Sequence, residues 1–257
     1  MPAAKGTKKR EKGMKGASVR GKYEYLIFDA DHTLIDFNRD EEAAFRRTFE
    51  SFGAICSPED LRRARSLSDT VWDEEGLNDV HSPEVRRTYH EKYVGHLPRL
   101  FARIQESFPV AAPPEALAER FLSELNAPSA VLGAALSVFS RLSGRYKTCI
   151  ATNGLTVMQT ARLQAFLPYV HALFISQEVG AVKPDRSFFA GMLSRLGASA
   201  ADCLFIGDSL DSDVAGCATV GMDCLWFNPA HRALPDGYAP VGQIDRIEGV
   251  ETFLTGG

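Results

Sequence analysis

The sequence predicts an α/β fold, a Rossmann-like parallel sheet carrying an inserted all-helical segment. Three observations carry that expectation. A short apolar run, Tyr25 to Phe28, stops abruptly at two carboxylates, Asp29 and Asp31, as a buried strand does on reaching a polar sheet edge. From about residue 126 onward, short apolar runs alternate with stretches of helical period, the pattern of parallel strands joined by helices. Between these two regions, residues 38–125 contain repeated helix starts and no convincing strand.

Taken in order, the first strand is followed by a turn at His32 to Asp36 and a helix over Arg39 to Phe52, with Ala43, Ala44, Phe45, Phe49 and Phe52 along one face. Ser57-Pro58-Glu59-Asp60 and Ser82-Pro83-Glu84 read as N-caps with proline at the first helical position. Pro113-Pro114-Glu115 opens another helix, and Pro98 ends or kinks the helix before it. A helix over Gly133 to Leu142 then stops at Gly144. Strands are expected at Arg145 to Ala151, Ala172 to Ser176, Cys203 to Ile206, Asp223 to Phe227 and near Gln243 to Ile244. The intervening helices are expected at Leu155 to Phe166, Pro184 to Gly197 and Asp211 to Gly221, with one more ending by Leu254. The expected organisation is a basic tail over residues 1–20, a core from 21–37 and 126–257, and a helical cap over 38–125.

Composition narrows the classes. No apolar run approaches the roughly 18 residues of a membrane span, and the N-terminus lacks the apolar centre of a signal peptide. The five cysteines form no C-x-x-C pair and are odd in number, which argues against a disulfide framework or zinc site and for a reducing, cytoplasmic setting. Net charge is -4, but residues 1–20 hold seven Lys/Arg against one Glu, leaving -10 for the remainder. That tail has no aromatic residue and is expected to be disordered. Without interleaved aromatics it is not expected to bind nucleic acid; a solvated extension, or a start at Met14, are the simpler readings.

Four strand ends or helix starts deliver chemistry to one sheet edge. They are Asp29 and Asp31; Thr152 and Asn153; Lys183; and Asp208 with Asp211 and Asp213 behind it. Converging carboxylates call for a cation, and oxygen-only ligands select a hard one, most plausibly Mg²⁺. A lysine and a hydroxyl beside it suit phosphoryl oxygens. One carboxylate can attack phosphorus, and a second can shuttle the proton.

The marks F-D-A-D-H-T, A-T-N-G, K-P and G-D-S-L-D-S-D, in this order, resemble the haloacid dehalogenase superfamily. Longer stretches, T-N-G-L-T-V-M-Q-T-A-R-L and S-Q-E-V-G-A-V-K-P-D among them, resemble its pyrimidine 5′-nucleotidase branch. The resemblance spans roughly residues 22–254 and implies a C1-type cap. It implies Asp29 as nucleophile and metal ligand, and Asp31 as acid/base with its backbone carbonyl on the metal. Thr152 and Asn153 would hold the phosphate, Lys183 would neutralise it, and Asp208 and Asp213 would serve the metal. The implied substrate is a small phosphomonoester, a pyrimidine nucleoside monophosphate first and a sugar phosphate such as N-acylneuraminate 9-phosphate second. A binding protein using the basic tail is the reading from another class; the oligomeric state stays open.

Departures from the pattern also carry expectations. His32 replaces the usual glycine and is expected to turn its ring away, and Asp211 is expected only to complement a helix dipole. Trp72, Tyr89 and Tyr93 are candidates to line a base pocket, Trp72 foremost, whereas Phe45 and Phe49 are expected in a helical core. His81, His90, His96, His171 and His231 are expected to be ordinary surface or loop residues.

Overall fold

The computed structural model describes residues 21–108 and 110–256. The basic tail over residues 1–20 lies outside the described residues. Strand β1 (Tyr25–Phe28) leads into five helices: α1 (Phe37–Ser51), α2 (Pro58–Glu74), α3 (Pro83–Gly95), α4 (Leu97–Gln105) and α5 (Pro114–Leu125). Then come α6 (Ala135–Ser143), β2 (Lys147–Thr152), α7 (Thr156–Arg162), β3 (Ala172–Ile175), α8 (Ser176–Val179) and α9 (Arg186–Leu196). The chain finishes through β4 (Cys203–Gly207), α10 (Ala215–Ala218), β5 (Asp223–Phe227), β6 (Gly242–Ile244) and α11 (Gly249–Thr255). No described helix is long and apolar enough to cross a membrane.

All six strands are parallel, in the order β3-β2-β1-β4-β5-β6. Chain order runs outward one way from β1 through β2 and β3, then returns to its other side for β4. The crevice at such a reversal is where α/β sheets bind ligands. Phe28 pairs with Ile150 and Ile206, so Asp29 leaves the sheet midway between the ends of β2 and β4. Alternation along β1 feeds two layers. Leu26 and Phe28 pack with Phe139, Phe166 and Ile206 on one face, and Tyr25 and Ile27 with Phe188, Phe205 and Trp226 on the other. Helices α1 to α5 enclose a separate core around Phe45, Phe49, Phe101 and Phe121, the place expected for Phe45 and Phe49.

Local chemistry explains the helix starts. Ser57 and Asp60 form a reciprocal capping box on α2, and Ser82 caps α3. Pro98 stands in the first turn of α4, directly after α3 ends, where its missing N–H has no partner to lose.

Several boundaries differ from the sequence reading. Helix α1 begins two residues early because the Asp36 side chain accepts from Arg39 N–H. The helix expected from Pro184 starts at Arg186, because Asp185 is the residue that caps it, accepting from Ser187 N–H at 2.8 Å. The helix expected to reach Phe166 ends at Arg162, followed by turns and a 3₁₀ turn at Leu167–Tyr169. The helix expected over 211–221 is a π-turn, Leu210–Val214, followed by the short α10. Widened turns of this kind concentrate at functional sites, and this one directs Asp213 fully inward.

Candidate active site

Asp29, Asp208 and Asp213 converge beyond the ends of β1 and β4, each offering a carboxylate oxygen within 4.8 Å of the others. Lys183, on the loop between α8 and α9, joins two of them. Its Nζ donates to Asp29 Oδ1 at 2.5 Å and to Asp213 Oδ1 at 2.7 Å. The second oxygen of Asp213 accepts the Ser209 N–H at 3.1 Å.

Three acids stand around one lysine that contacts only two of them, and the proton affinities show the deficit. Burial, with the nearby Asp213 and Asp208 charges, leaves the Asp29 carboxyl well above the usual range, although Lys183 pulls the other way. Burial and then Asp213 push Asp208 up to about 6. Burial works against the Lys183 ammonium, but Asp213 and Asp29 outweigh it and hold its pKa above the ordinary lysine value. A cluster of oxygen donors short of positive charge fits a hard divalent cation.

The remaining expected residues sit around this centre. Thr152 ends β2, almost fully buried, and accepts from Gln159 Nε2 at 2.6 Å. Asn153 follows at the end of β2, its side chain turned to the Lys183 loop. Its Nδ2 donates to the Lys183 carbonyl at 3.0 Å and its Oδ1 accepts the Lys183 N–H at 2.8 Å. Its amide thus fixes the loop that presents Lys183. Asp31 lies on the next turn, its side chain 27% exposed toward the cleft.

Above the acids, the cleft opens into a cavity of about 380 Å³ between sheet edge and helices. Trp72, Tyr89 and Tyr93 border it, together with Asp31, Glu41 and Ser68. Trp72 meets Tyr89 and Tyr93 edge to face, centroids 6.1 and 5.4 Å apart. Glu41 is 5% exposed, with Ser68 Oγ donating to it at 2.7 Å. No Lys or Arg among the described residues lines this cavity.

Three histidines and one acid depart from expectation. His32 occupies a turn at φ 61°, but its ring lines the cavity instead of turning away. It packs edge-on against Phe37, with centroids 5.9 Å apart. His96 is buried against Trp72, and its burial lowers its pKa. His90 contacts Ser176 Oγ at 2.8 Å. Asp211 does more than complement a dipole: it accepts from the Tyr238 hydroxyl and pairs with His81 at 3.0 Å, joining the helical segment to the sheet edge. Sequence reasoning missed Gln159 and Arg162, both fully buried on α7 beside Asp31. The spacing of three residues within M-Q-T-A-R-L was the available signal.

Comparisons with known proteins agree with this geometry. Residues 23–221 match the haloacid dehalogenase-like hydrolase family. Pyrimidine 5′-nucleotidase PynA of Streptococcus pneumoniae is 30% identical over 217 residues, covering 81% of this chain and 85% of that protein. Pyrimidine 5′-nucleotidase YjjG of Escherichia coli is 27% identical over 236 residues, covering 91% and 98%. The crystal structure of the Bacillus subtilis putative HAD-hydrolase YfnB bound to magnesium superposes with a TM-score of 0.76 at 24% identity, covering 91% of this chain and 99% of that one. With the parallel sheet, the acidic edge and the family match over most of its length, the chain belongs to the haloacid dehalogenase-like hydrolases.

Proposed function

We propose that the protein is a metal-dependent phosphomonoesterase that works through an aspartyl-phosphate on Asp29 and acts on nucleoside 5′-monophosphates, pyrimidine ones preferred. One observation carries the reading: the buried Asp29–Lys183 pair lines a cleft that shares Asp31, His32, Trp72 and Tyr89 with an aromatic cavity sized for a small planar group. The pyrimidine 5′-nucleotidases among the relatives support the same substrate class.

Asp29, Asp208 and Asp213, with the backbone carbonyl of Asp31, would hold a divalent cation such as Mg²⁺. When bound, that ion neutralises the acids and the incoming phosphoryl charge. Asp29 attacks phosphorus, forming one P–O bond as the bond to the leaving oxygen breaks. Asp31 gives its proton to that leaving oxygen. It then takes a proton from the water that attacks phosphorus and frees Asp29. Lys183 balances charge on the transferred group and holds Asp29 in line. The helices over 38–125 act as a cap, and Trp72, with Tyr89 and Tyr93, receives the base. The absence of Lys and Arg from the described cavity lining disfavours leaving groups that carry a carboxylate, N-acylneuraminate among them.

The test is phosphate release from nucleoside monophosphates and sugar phosphates with Mg²⁺, with EDTA and Asp29→Asn controls. Metal-dependent release from UMP, dUMP or TMP supports the reading. Release from sugar phosphates alone keeps the mechanism and overturns the substrate.

A further inference from the structure

We propose that Gln159 and Arg162 are positioning residues for Asp31, a clamp on α7 that aims the acid/base and ties it to the segment linking sheet and helices. The inference rests on the phosphomonoesterase reading above.

Both oxygens of Asp31 are engaged from one helix face. Gln159 Nε2 donates to Oδ2 at 2.9 Å, and Arg162 Nη1 lies 2.7 Å from Oδ1. The two residues are three apart, so they project together. They also brace each other, Arg162 Nη1 donating to Gln159 Oε1 at 2.8 Å. Gln159 packs over Gly154, where a Cβ would lie 2.9 Å from its Cγ. Neither side chain is free to drift.

A buried guanidinium is costly and keeps its charge, so its surroundings need anions. Asp31 supplies one and Asp40, in the first turn of α1, the other, accepting from Arg162 Nη2 at 3.2 Å. The second oxygen of Asp40 accepts the Ala130 N–H at 2.9 Å. Ser129 N–H in turn donates to the Arg162 carbonyl at 3.1 Å. Arg162 therefore sits where the chain leaves the sheet for α1 and where it returns from α5. Phe37 closes the site, its ring centroid 5.0 Å from the guanidinium.

This arrangement answers a geometric need. Asp31 lies in no regular element; the next residue, His32, is at φ 61°. A general acid must hold its proton within hydrogen-bond reach of the leaving oxygen, and a misplacement of about 1 Å can cost about 10²-fold. Asp31 Oδ1 is buried beside the guanidinium, while the side chain as a whole keeps 27% exposure at the cleft.

The experiment compares kcat/KM for uridine 5′-monophosphate and p-nitrophenyl phosphate in wild type, Arg162→Met and Gln159→Leu. The nucleoside alkoxide needs a proton to leave, whereas p-nitrophenolate scarcely does. Arg162→Met is expected to lower the nucleotide value about 10²-fold, with a loss at least about ten times smaller for the aryl ester. Gln159→Leu keeps the ion pairs and follows the same pattern with a smaller nucleotide loss, so the proposal stays testable if Arg162→Met does not fold. Equal losses on both esters, or no loss, overturn the clamp while leaving the phosphatase standing. A wild type that hydrolyses neither ester overturns the phosphatase reading and the clamp with it.

Discussion

Gly207 gives Asp213 its place: a Cβ on Gly207 would lie 2.2 Å from Asp213 Oδ2. The glycine ends β4 one residue before Asp208, and the space it leaves lets a carboxylate fold back to Lys183 and Ser209 N–H. Gly207→Ala is therefore expected to force Asp213 outward and cost about 1–3 kcal/mol of stability. Urea unfolding measures the cost, and phosphate release should fall with it.

Asp29→Asn keeps the shape of the site and removes the nucleophile. Turnover should drop by about 10⁴-fold or more, while circular dichroism and chromatographic behaviour stay those of the wild type. Near-normal activity would exclude covalent catalysis by Asp29.

Trp72 borders both the aromatic cavity and the acidic cleft. Trp72→Ala should raise KM for nucleoside monophosphates by about tenfold, the scale of one lost stacking contact. Its effect on p-nitrophenyl phosphate, which reaches less of the cavity, should be smaller. Steady-state kinetics with both esters separates the two.

His96 supplies a dependence of stability on pH. Burial, against opposing hydrogen bonds to the Lys92 and Tyr93 backbone, sets its folded pKa below the ordinary value of 6.5. Above that value both the folded and unfolded imidazole are neutral. Below it the unfolded chain binds a proton that the folded chain resists, so stability falls as pH drops. His96→Gln should lose less of its Tm between about pH 7.5 and 5.5 than the wild type does, as thermal melts would show.

Phe45 packs its ring 4.5 Å from Phe121 and 5.9 Å from Phe101 in the core of the helical segment. Phe45→Ala should cost about 3–5 kcal/mol, read by denaturant unfolding, because nothing nearby can fill the space of a buried phenyl ring.

Much of this protein could be read locally. Tyr25–Phe28 is a strand because an apolar run is cut off by two acids, and α2 and α3 begin where Ser57 and Ser82 cap them. Asp223–Phe227 has the bounds its apolar run predicts. Asp29 and Asp208 converge because each directly follows a strand, and parallel strands bring such points to one edge, where the loop before α9 adds Lys183.

Residues whose part depends on what packs over them were less legible. Gln159 and Arg162 look like the solvent side of an amphipathic helix, yet both are buried because the linking segments at Asp40 and Ser129 close over α7. His96 and His32 carry no spacing signal; one is enclosed by Trp72, and the other faces the cavity from a turn. Asn153 carries no local sign of what its side-chain amide binds, and only the approach of the Lys183 backbone supplies that partner.

By itself the sequence determined the α/β class, the strand ends and the acids with their lysine, because these follow from period, caps and residue order along the chain. The tertiary structure decided which polar groups are buried together and what shape the cavity takes. Those depend on surfaces brought into contact across more than a hundred residues, as when Arg162 meets Asp31 and Asp40.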